Sequence, residues 1–205
     1  MIRLLGKIPN QIVVAFSGGV DSVAAASFLN CGKRRVTLAF FNHGTKTSDE
    51  AENFCRAFSD KHCLPLVVGT VHRGRMSNES HEEYWRNIRY DFLSSFDKPV
   101  VTAHHLDDAV ETWIFTSLHG IPRLIPYSRG IVIRPFLTTT KESLTLWCEK
   151  NGLSWIEDKT NGDVKFARNR IRHNIVPEAL VINPGLRKMI SKKYREINLP
   201  LDSLC

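Results

Sequence analysis

The sequence predicts an α/β fold: a parallel sheet of about five strands with helices on both faces, then a short basic helical extension. Three observations carry this expectation. Apolar, β-branched runs alternate with helical patterns along the first part of the chain. The strand-like runs are apolar at successive positions rather than alternate ones, as strands buried on both faces are. The basic excess is confined to the last part of the chain, where the alternation has stopped.

Residues 12–16 read as the first strand, with Val13-Val14-Ala15-Phe16 apolar throughout, and 21–30 follow as an alanine-rich helix. A second strand spans 36–41, and a second helix runs from Ser48, its expected N-cap, to about residue 62. Residues 65–71 give a third strand and roughly 79–96 a third helix, then 99–103 a fourth strand and about 107–118 a fourth helix. The stretch 119–129, with Pro122 and Pro126, reads as a loop before a further strand at 130–134. Residues 140–151 form a helix that Gly152 ends as a C′ residue. The polar, turn-rich 158–163 precede a basic segment that is helical in two pieces, broken by Pro177 and Asn183-Pro184. The chain thus divides into an α/β domain at 1–157 and a polar loop with basic extension at 158–205. In such a sheet ligands bind at the carboxyl ends of the strands, which puts the loops after residues 16, 41, 71 and 103 at the site.

With 205 residues the chain holds one well-buried domain and a small appendage. Hydrophobic content of 42% and charged content of 24% are those of an ordinary globular protein, which excludes a disordered class. No run reaches the roughly 18–20 apolar residues of a membrane span, and no signal peptide is readable, so a cytoplasmic protein is expected. Cys31, Cys55, Cys63, Cys148 and Cys205 include no C-x-x-C pair, which argues against zinc ribbons, iron–sulfur clusters and thioredoxin-like sites. They read as reduced thiols. Of the net charge of +7, residues 165–195 supply nine Lys/Arg against one acid, Glu178. The rest of the chain is close to neutral. Such a patch suits a phosphate backbone, and a solvated basic helix is the equal alternative.

Ser17-Gly18-Gly19-Val20-Asp21-Ser22 joins the first strand to the first helix. Two glycines let successive N–H groups turn inward as an anion nest, and the helix N-terminus adds its dipole. Ser17 and Ser22 add hydroxyl donors, and Asp21 suits a magnesium ion that accompanies phosphates. An ordinary Gly-Gly turn with Asp21 as cap is the simpler alternative. Neither a Walker A loop nor a G-x-G-x-x-G fingerprint occurs. The second cluster is His104-His105-Leu106-Asp107-Asp108-Ala109-Val110-Glu111-Thr112. Asp108, Glu111 and Thr112 share one helical face, at the ligand edge of the sheet. These residues suit magnesium binding, orientation of an amine or uptake of a proton, and a hard cation or ammonium fits better than zinc. A dipole-favoured acidic helix start explains the carboxylates and leaves the two histidines unexplained.

The loop at 17–22 resembles the pyrophosphate-binding loop of the N-type ATP pyrophosphatases, the PP-loop superfamily, and the resemblance implies a Rossmann-like fold and ATP split to AMP and pyrophosphate. The second cluster is similar to the H-x-x-D-D-Q-x-E-T signature of the tRNA(Ile)-lysidine synthetases, with Ala109 in place of Gln. Four more matches follow in family order. They are Asn42-His43-Gly44; Glu82 to Tyr90, with Trp85 in place of a small residue; Arg134-Pro135-Phe136-Leu137; and Asp158-x-x-Asn161 with Arg168-Asn169-Arg170-Ile171-Arg172.

This resemblance implies ATP and Mg2+ as cofactors, and a tRNA(Ile) with a CAU anticodon and free L-lysine as substrates. The C2 oxygen of cytidine 34 would attack the α-phosphate of ATP, and the ε-amine of lysine would then displace AMP. It implies nucleotide contacts from Ser17, Gly18, Gly19, Val20, Asp21, Ser22, Phe41, His43, Gly44, Arg89 and His104, with magnesium at Asp21 and Asp108. Asp107 and Glu111 would take the lysine ammonium, and Arg172 or Arg168 its carboxylate. His105 or an acid would serve as base. Arg86, Arg89 and Arg170 would contact RNA, with nucleotide binding or internal salt bridges as alternatives for the first two. A homodimer is compatible with this reading. Members of the family usually continue into C-terminal domains that help grip the tRNA. Another PP-loop adenylating ligase, or a non-catalytic tRNA-binding module, is the alternative.

Overall fold

The computed structural model describes residues 1–157 and 167–197. The polar stretch 158–163 with Asp158 and Asn161, Lys165, and Cys205 lie outside the described residues. The strands are β1 (Gln11–Ala15), β2 (Arg35–Asn42), β3 (Leu66–Thr70), β4 (Val100–Val101), β5 (Ser128–Arg129) and β6 (Val132–Ile133). The helices are α1 (Val20–Cys31), α2 (Lys46–His62), α3 (His81–Ser94), α4 (Leu106–Leu118), α5 (Lys141–Lys150), α6 (Ala167–Arg170), α7 (Val176–Ile182) and α8 (Leu186–Ile197). A π-helical turn, Ile171–Ile175, links α6 to α7.

The sheet order is β3-β2-β1-β4-β6-β5, parallel except for the β5–β6 pair. From β1 the chain steps outward to β2 and β3, then returns to place β4 on the other side of β1. The strand order therefore reverses between β1 and β4, and a crevice opens there beyond their carboxyl ends. β1 is buried on both faces, as its apolar run requires. Ile12 and Val14 pack with Ala24, Ala25, Ala26 and Leu29 of α1 and Leu144 of α5, while Val13 packs with Leu93 of α3 and Val100. The three alanines let α1 lie close against the strands. Trp147 of α5 donates from Nε1 to Ser27 Oγ at 3.2 Å and fixes α5 beside α1. The C-terminal helices form a further cluster against α4, where Leu186, Ile190 and Tyr194 meet Leu106, Ala109 and Val110.

Local differences from the sequence expectation have local causes. Thr45, not Ser48, caps α2, accepting from Ser48 N at 3.2 Å; Ser48 lies in the first turn, and its own hydroxyl accepts from His43 N. The expected loop before β6 contains β5, because Gly130 at φ +57° permits a two-residue hairpin between Arg129 and Val132. Pro177 does not break the basic segment. It sits in the first turn of α7, where its missing N–H costs nothing, and the π-turn before it absorbs the change of register. Asn183 ends α7 as expected, with Pro184 behind it. Gly152 has φ +60° after α5, the left-handed C′ geometry the sequence implied.

Gly69 in β3 faces the ring of Phe92, and a Cβ there would lie 2.5 Å from Phe92 Cδ2. Phe92 is itself held between Phe41 and Phe96 at centroid distances of 5.7 and 5.2 Å. Gly69→Val should therefore destabilise the fold by about 1–3 kcal/mol in urea unfolding. An unchanged midpoint would show that Phe92 moves aside freely.

Candidate active site

Two loops meet at the reversal of strand order. The first leaves β1 through Phe16, whose N–H donates to Ala39 O at 2.8 Å. Gly18 then turns at φ +81°, where a side chain would be strained and its Cβ would lie 2.9 Å from Phe54 Cδ1 and 3.0 Å from Ile156 Cδ1. Gly18 O accepts from Ile156 N at 2.9 Å, which ties the loop to the chain beyond α5. Gly19 is the N-cap of α1 and offers no side-chain acceptor. The first-turn N–H groups thus retain their donor capacity for an anion. Ser22 Oγ donates to Gly19 O at 2.9 Å and accepts from Ser17 N at 3.2 Å, so the two serines close the loop on itself. Val20 is half-buried against the core, which leaves its backbone as the part available to a ligand.

The second loop leaves β4 and ends at His105, the N-cap of α4. His105 Nδ1 accepts from Asp108 N at 3.3 Å, while Asp108 Oδ2 accepts from His105 N at 2.9 Å. This reciprocal cap fixes the ring, and Nε2 then lies 3.6 Å from Asp21 Oδ2. The side chain of His105 is only 3% exposed. Burial alone would pull its pKa down, but Asp108, Asp21 and Asp107 outweigh that and hold it above the ordinary value. Burial pushes the Asp21 carboxyl up, and contact with His105, helped by the charges of Lys141 and Arg172, overcomes this and holds it below the usual range.

The acids of α4 are paired with the C-terminal helical segment. Arg172, in the π-turn, donates from Nε to Glu111 Oε1 at 2.6 Å and from Nη2 to Glu111 Oε2 at 3.1 Å, and its Nη2 reaches Asp108 Oδ1 at 3.4 Å. Arg187 of α8 holds Asp107 Oδ1 at 2.7 Å, and Lys141 N donates to Asp107 Oδ2 at 2.8 Å. Burial raises the pKa of Glu111, and Arg172 only partly offsets it. The sequence reading gave Glu111 and Arg172 to opposite ends of one small ligand; in this structure they hold each other. Arg168 and Arg170 are exposed on α6.

The opposite rim is cationic. His43 lies edge-on between Phe41 and Trp85, with centroids 5.1 and 4.9 Å away, and its Nδ1 is buried without a hydrogen-bond partner. Burial and then Arg89 lower its pKa. Gly44 turns at φ +70°, its N–H donating to Asn42 Oδ1 at 2.7 Å. The Phe41 side chain is core, packed with Tyr84 and Ile88, so only its backbone is left to meet a nucleotide. His104 Nδ1 pairs with Thr102 Oγ1 at 2.8 Å, and burial, with Arg134 and Arg89 acting against the opposing pull of Asp108, brings its pKa down to about 4. Arg86 and Arg89 are exposed beside Tyr90. Sequence reasoning missed Arg187 and the Tyr90–Arg134 contact, in which Arg134 Nη2 donates to Tyr90 Oη at 3.0 Å. It named Asn42 without its partners: Asn42 donates to both Asp49 and Glu52 and anchors the loop before α2.

Residues 3–179 match the sequence profile described as the PP-loop domain. The chain belongs to the PP-loop family. It is similar to proteins named tRNA(Ile)-lysidine synthase, with 31% identity to that of Lactiplantibacillus plantarum over 92% of this chain and 46% of the relative. Identity to that of Persephonella marina is 34%, over 86% of this chain and 43% of the relative. For Thermus thermophilus the figures are 34%, 86% and 37%. The chain therefore spans less than half the length of these curated relatives. Among the described residues no helix is long and apolar enough to cross a membrane.

PP-loop chemistry uses ATP with a divalent cation, and the residues fit one carboxylate ligand better than two. Asp21 Oδ1 is buried and has no hydrogen-bond partner, as a hard-cation ligand would be. Asp108, the second expected metal residue, has both oxygens engaged, Oδ2 by His105 N and Oδ1 by Arg172. No cluster of three His, Cys, Asp or Glu side chains suited to a metal occurs among the described residues. Magnesium commonly takes one or two carboxylates and completes its shell with phosphates and water, so this set suits it.

His104 gives a pH test. Its folded-state pKa, about 4, lies below the ordinary 6.5, so acid favours the unfolded chain. The stability it contributes is complete above pH 6.5 and is lost as pH falls towards 4, on the order of 3 kcal/mol. Urea unfolding of the wild type should weaken over that window by more than that of His104→Gln. Parallel curves would contradict the burial of a neutral imidazole.

Proposed function

We propose that this chain carries the adenylating and ligating site of a tRNA(Ile)-lysidine synthase-type enzyme. One observation carries the proposal: His105 joins the Ser17–Ser22 loop, through Asp21, to the acids of α4 at the reversal of strand order. A phosphate-cradling loop and an amine-binding acidic face thereby share one crevice.

In this reading, cytidine 34 of a CAU-anticodon tRNA presents its C2 oxygen to the α-phosphate of ATP. A P–O bond forms, the α–β bridge breaks, and pyrophosphate leaves. The backbone N–H groups of Gly18, Gly19 and Val20, with the hydroxyl of Ser17, stabilise the charge that develops there, and Ser22 holds the loop in shape through Gly19 O. Asp21 would hold magnesium, which neutralises charge on the phosphate oxygens. The backbone at Phe41, with His43, Gly44, Arg89 and a neutral His104, lines the nucleotide side. The ε-amine of lysine then attacks C2, forming the C–N bond and expelling AMP. The amine must first lose a proton, and Glu111, whose burial raises its pKa, suits that transfer. With Nδ1 accepting from Asp108 N and Nε2 turned to Asp21, His105 fits the role of holding the two loops in place better than that of base. Lysine would enter by taking the place of Arg172 at Glu111, which frees Arg172, with Arg168 nearby in sequence, for the lysine carboxylate. Arg86, Arg170 and the unpaired cations of α8 would meet RNA phosphates.

The test incubates the protein with ATP, magnesium, radiolabelled lysine and a CAU-anticodon tRNA. Lysine incorporated at position 34, with stoichiometric AMP, supports the reading. RNA adenylation without lysine transfer would point to another PP-loop ligase, and RNA binding without any ATP cleavage to a non-catalytic module. Asp21→Ala should lower ATP–pyrophosphate exchange on the order of 10²–10³-fold while RNA affinity stays within about two-fold. Equal loss of both would break the division of labour drawn here.

A further inference from the structure

Tyr90, near the end of α3, is surrounded by arginines. The guanidinium carbons of Arg86 and Arg89 lie 6.0 Å from its ring centroid and that of Arg129, from β5, lies 5.3 Å away. Arg134 donates to its hydroxyl at 3.0 Å. Among the described residues the arginines in ion pairs are Arg56, Arg73, Arg172 and Arg187, so Arg86, Arg89, Arg129 and Arg134 have no carboxylate partner there. Arg134 is 4% exposed, its Nη1 donating to Pro126 O at 2.8 Å while Nε stays without a partner. Arg86 and Arg129 are exposed, and Arg89 is exposed along its side chain while burial lowers the pKa of its guanidinium.

Four like charges around one ring repel each other, and a fold that holds them together gains most when an anion arrives. The shape of the cluster decides which anion. Arg86 and Arg89 are neighbours on one helical face and Arg129 comes from a separate element, so the exposed charges are spread out rather than turned inward. A compact phosphate or pyrophosphate wants an enclosed nest, which the Ser17–Ser22 loop already supplies. A spread array of exposed guanidiniums suits a chain of phosphodiesters. The cluster also stands beside the crevice, since Arg134 directly follows β6, the parallel neighbour of β4, at the carboxyl end of the strands.

The geometry points to Arg86 and Arg129, seated on Tyr90 and backed by Arg134, as the rim that grips the RNA backbone on either side of the target base, with Arg89 left to the nucleotide side. This rests on the RNA substrate of the preceding reading, and it assigns to β5 and its Arg129 a role in RNA binding. The polynucleotide crosses α3 and β5 on its way into the crevice. Unpaired loop RNA suits this path, because its backbone can follow the rim while one base turns inward.

The experiment measures binding of a fluorescent CAU anticodon stem–loop RNA over a range of salt, beside calorimetric binding of ATP. Arg129→Ala should weaken RNA binding roughly five-fold and make the slope of log affinity against log salt shallower by about 0.7. ATP affinity should be unchanged. Arg129→Gln should behave like Arg129→Ala, and Arg129→Lys should recover most of the loss. Unchanged RNA affinity and slope in both neutral variants, with the wild type binding normally, would overturn the rim alone. Parallel loss of ATP and RNA binding would assign the cluster to the nucleotide and overturn it also. A wild type that ignores the stem–loop at low salt would sink the RNA reading itself, and the rim with it.

Discussion

A buried imidazole with three carboxylates near it is the constraint on which the crevice depends. His105 is a helix cap, a neighbour of Asp21 and part of the environment of Asp108 and Asp107 at once. A cap alone needs only a hydroxyl or a carboxylate, and Asn or Ser would serve. Imidazole differs because it has a second nitrogen on the far edge of the ring. That nitrogen spans the gap between the carboxyl ends of β1 and β4. Both strands are short and buried, so the two loops inherit a fixed spacing from the sheet, and His105 converts that spacing into a defined position for one Asp21 oxygen. The other oxygen is left without a hydrogen-bond donor in a buried setting. That exception to the usual satisfaction of buried polar atoms is what the proposed cation would relieve.

The same acids explain why the C-terminal helices pack where they do. α4 presents two kinds of surface to them. Leu106, Ala109 and Val110 meet Leu186, Ile190 and Tyr194 in an apolar contact, and Asp107, Asp108 and Glu111 meet Arg187 and Arg172 beside it. Burying the side chain of Glu111 to 5% exposure without a partner would be costly, and the bidentate Arg172 contact offsets that. The basic extension is therefore partly internal wiring. Arg172 and Arg187 are committed to acids and Lys193 lies 5.2 Å above Trp113, so the charge read along the sequence overstates the charge this segment offers to a polyanion.

What the sequence revealed and what it concealed follow a physical division. β1 was legible because four apolar residues in a row have one explanation in an α/β chain, and the loop after it because Gly18 and Gly19 sit between a strand and a helix. The acids of α4 were legible because their spacing is helical. The ionic partners were not, since Arg172 is 61 positions from Glu111 and Arg187 is 80 from Asp107, and no local pattern announces such a pair. The gathering of Arg129 and Arg134 around Tyr90 was hidden for the same reason, as they come from β5 and the segment after β6. Thr45 and Ser48 show a subtler failure. Both can cap, three residues apart, and only the chain direction entering α2 decides between them.

The pairing of Glu111 with Arg172 also bears on how a cationic nucleophile could reach a buried acid. An empty carboxylate in this position would be expelled towards solvent or would take a proton, and its pKa is already raised by burial. A carboxylate held by a guanidinium keeps its place and its charge. Replacing that guanidinium by an ammonium exchanges one cation for another, so the acid is never bare during the exchange. Arg172 is 32% exposed at its side chain and sits in the π-turn between α6 and α7, the kind of element often found at functional sites. An ammonium with a carboxylate of its own then has a use for both partners of the broken pair, and a plain amine has a use for one. In the proposed reading, the chemistry of such an exchange suits an amino acid better than a simple amine.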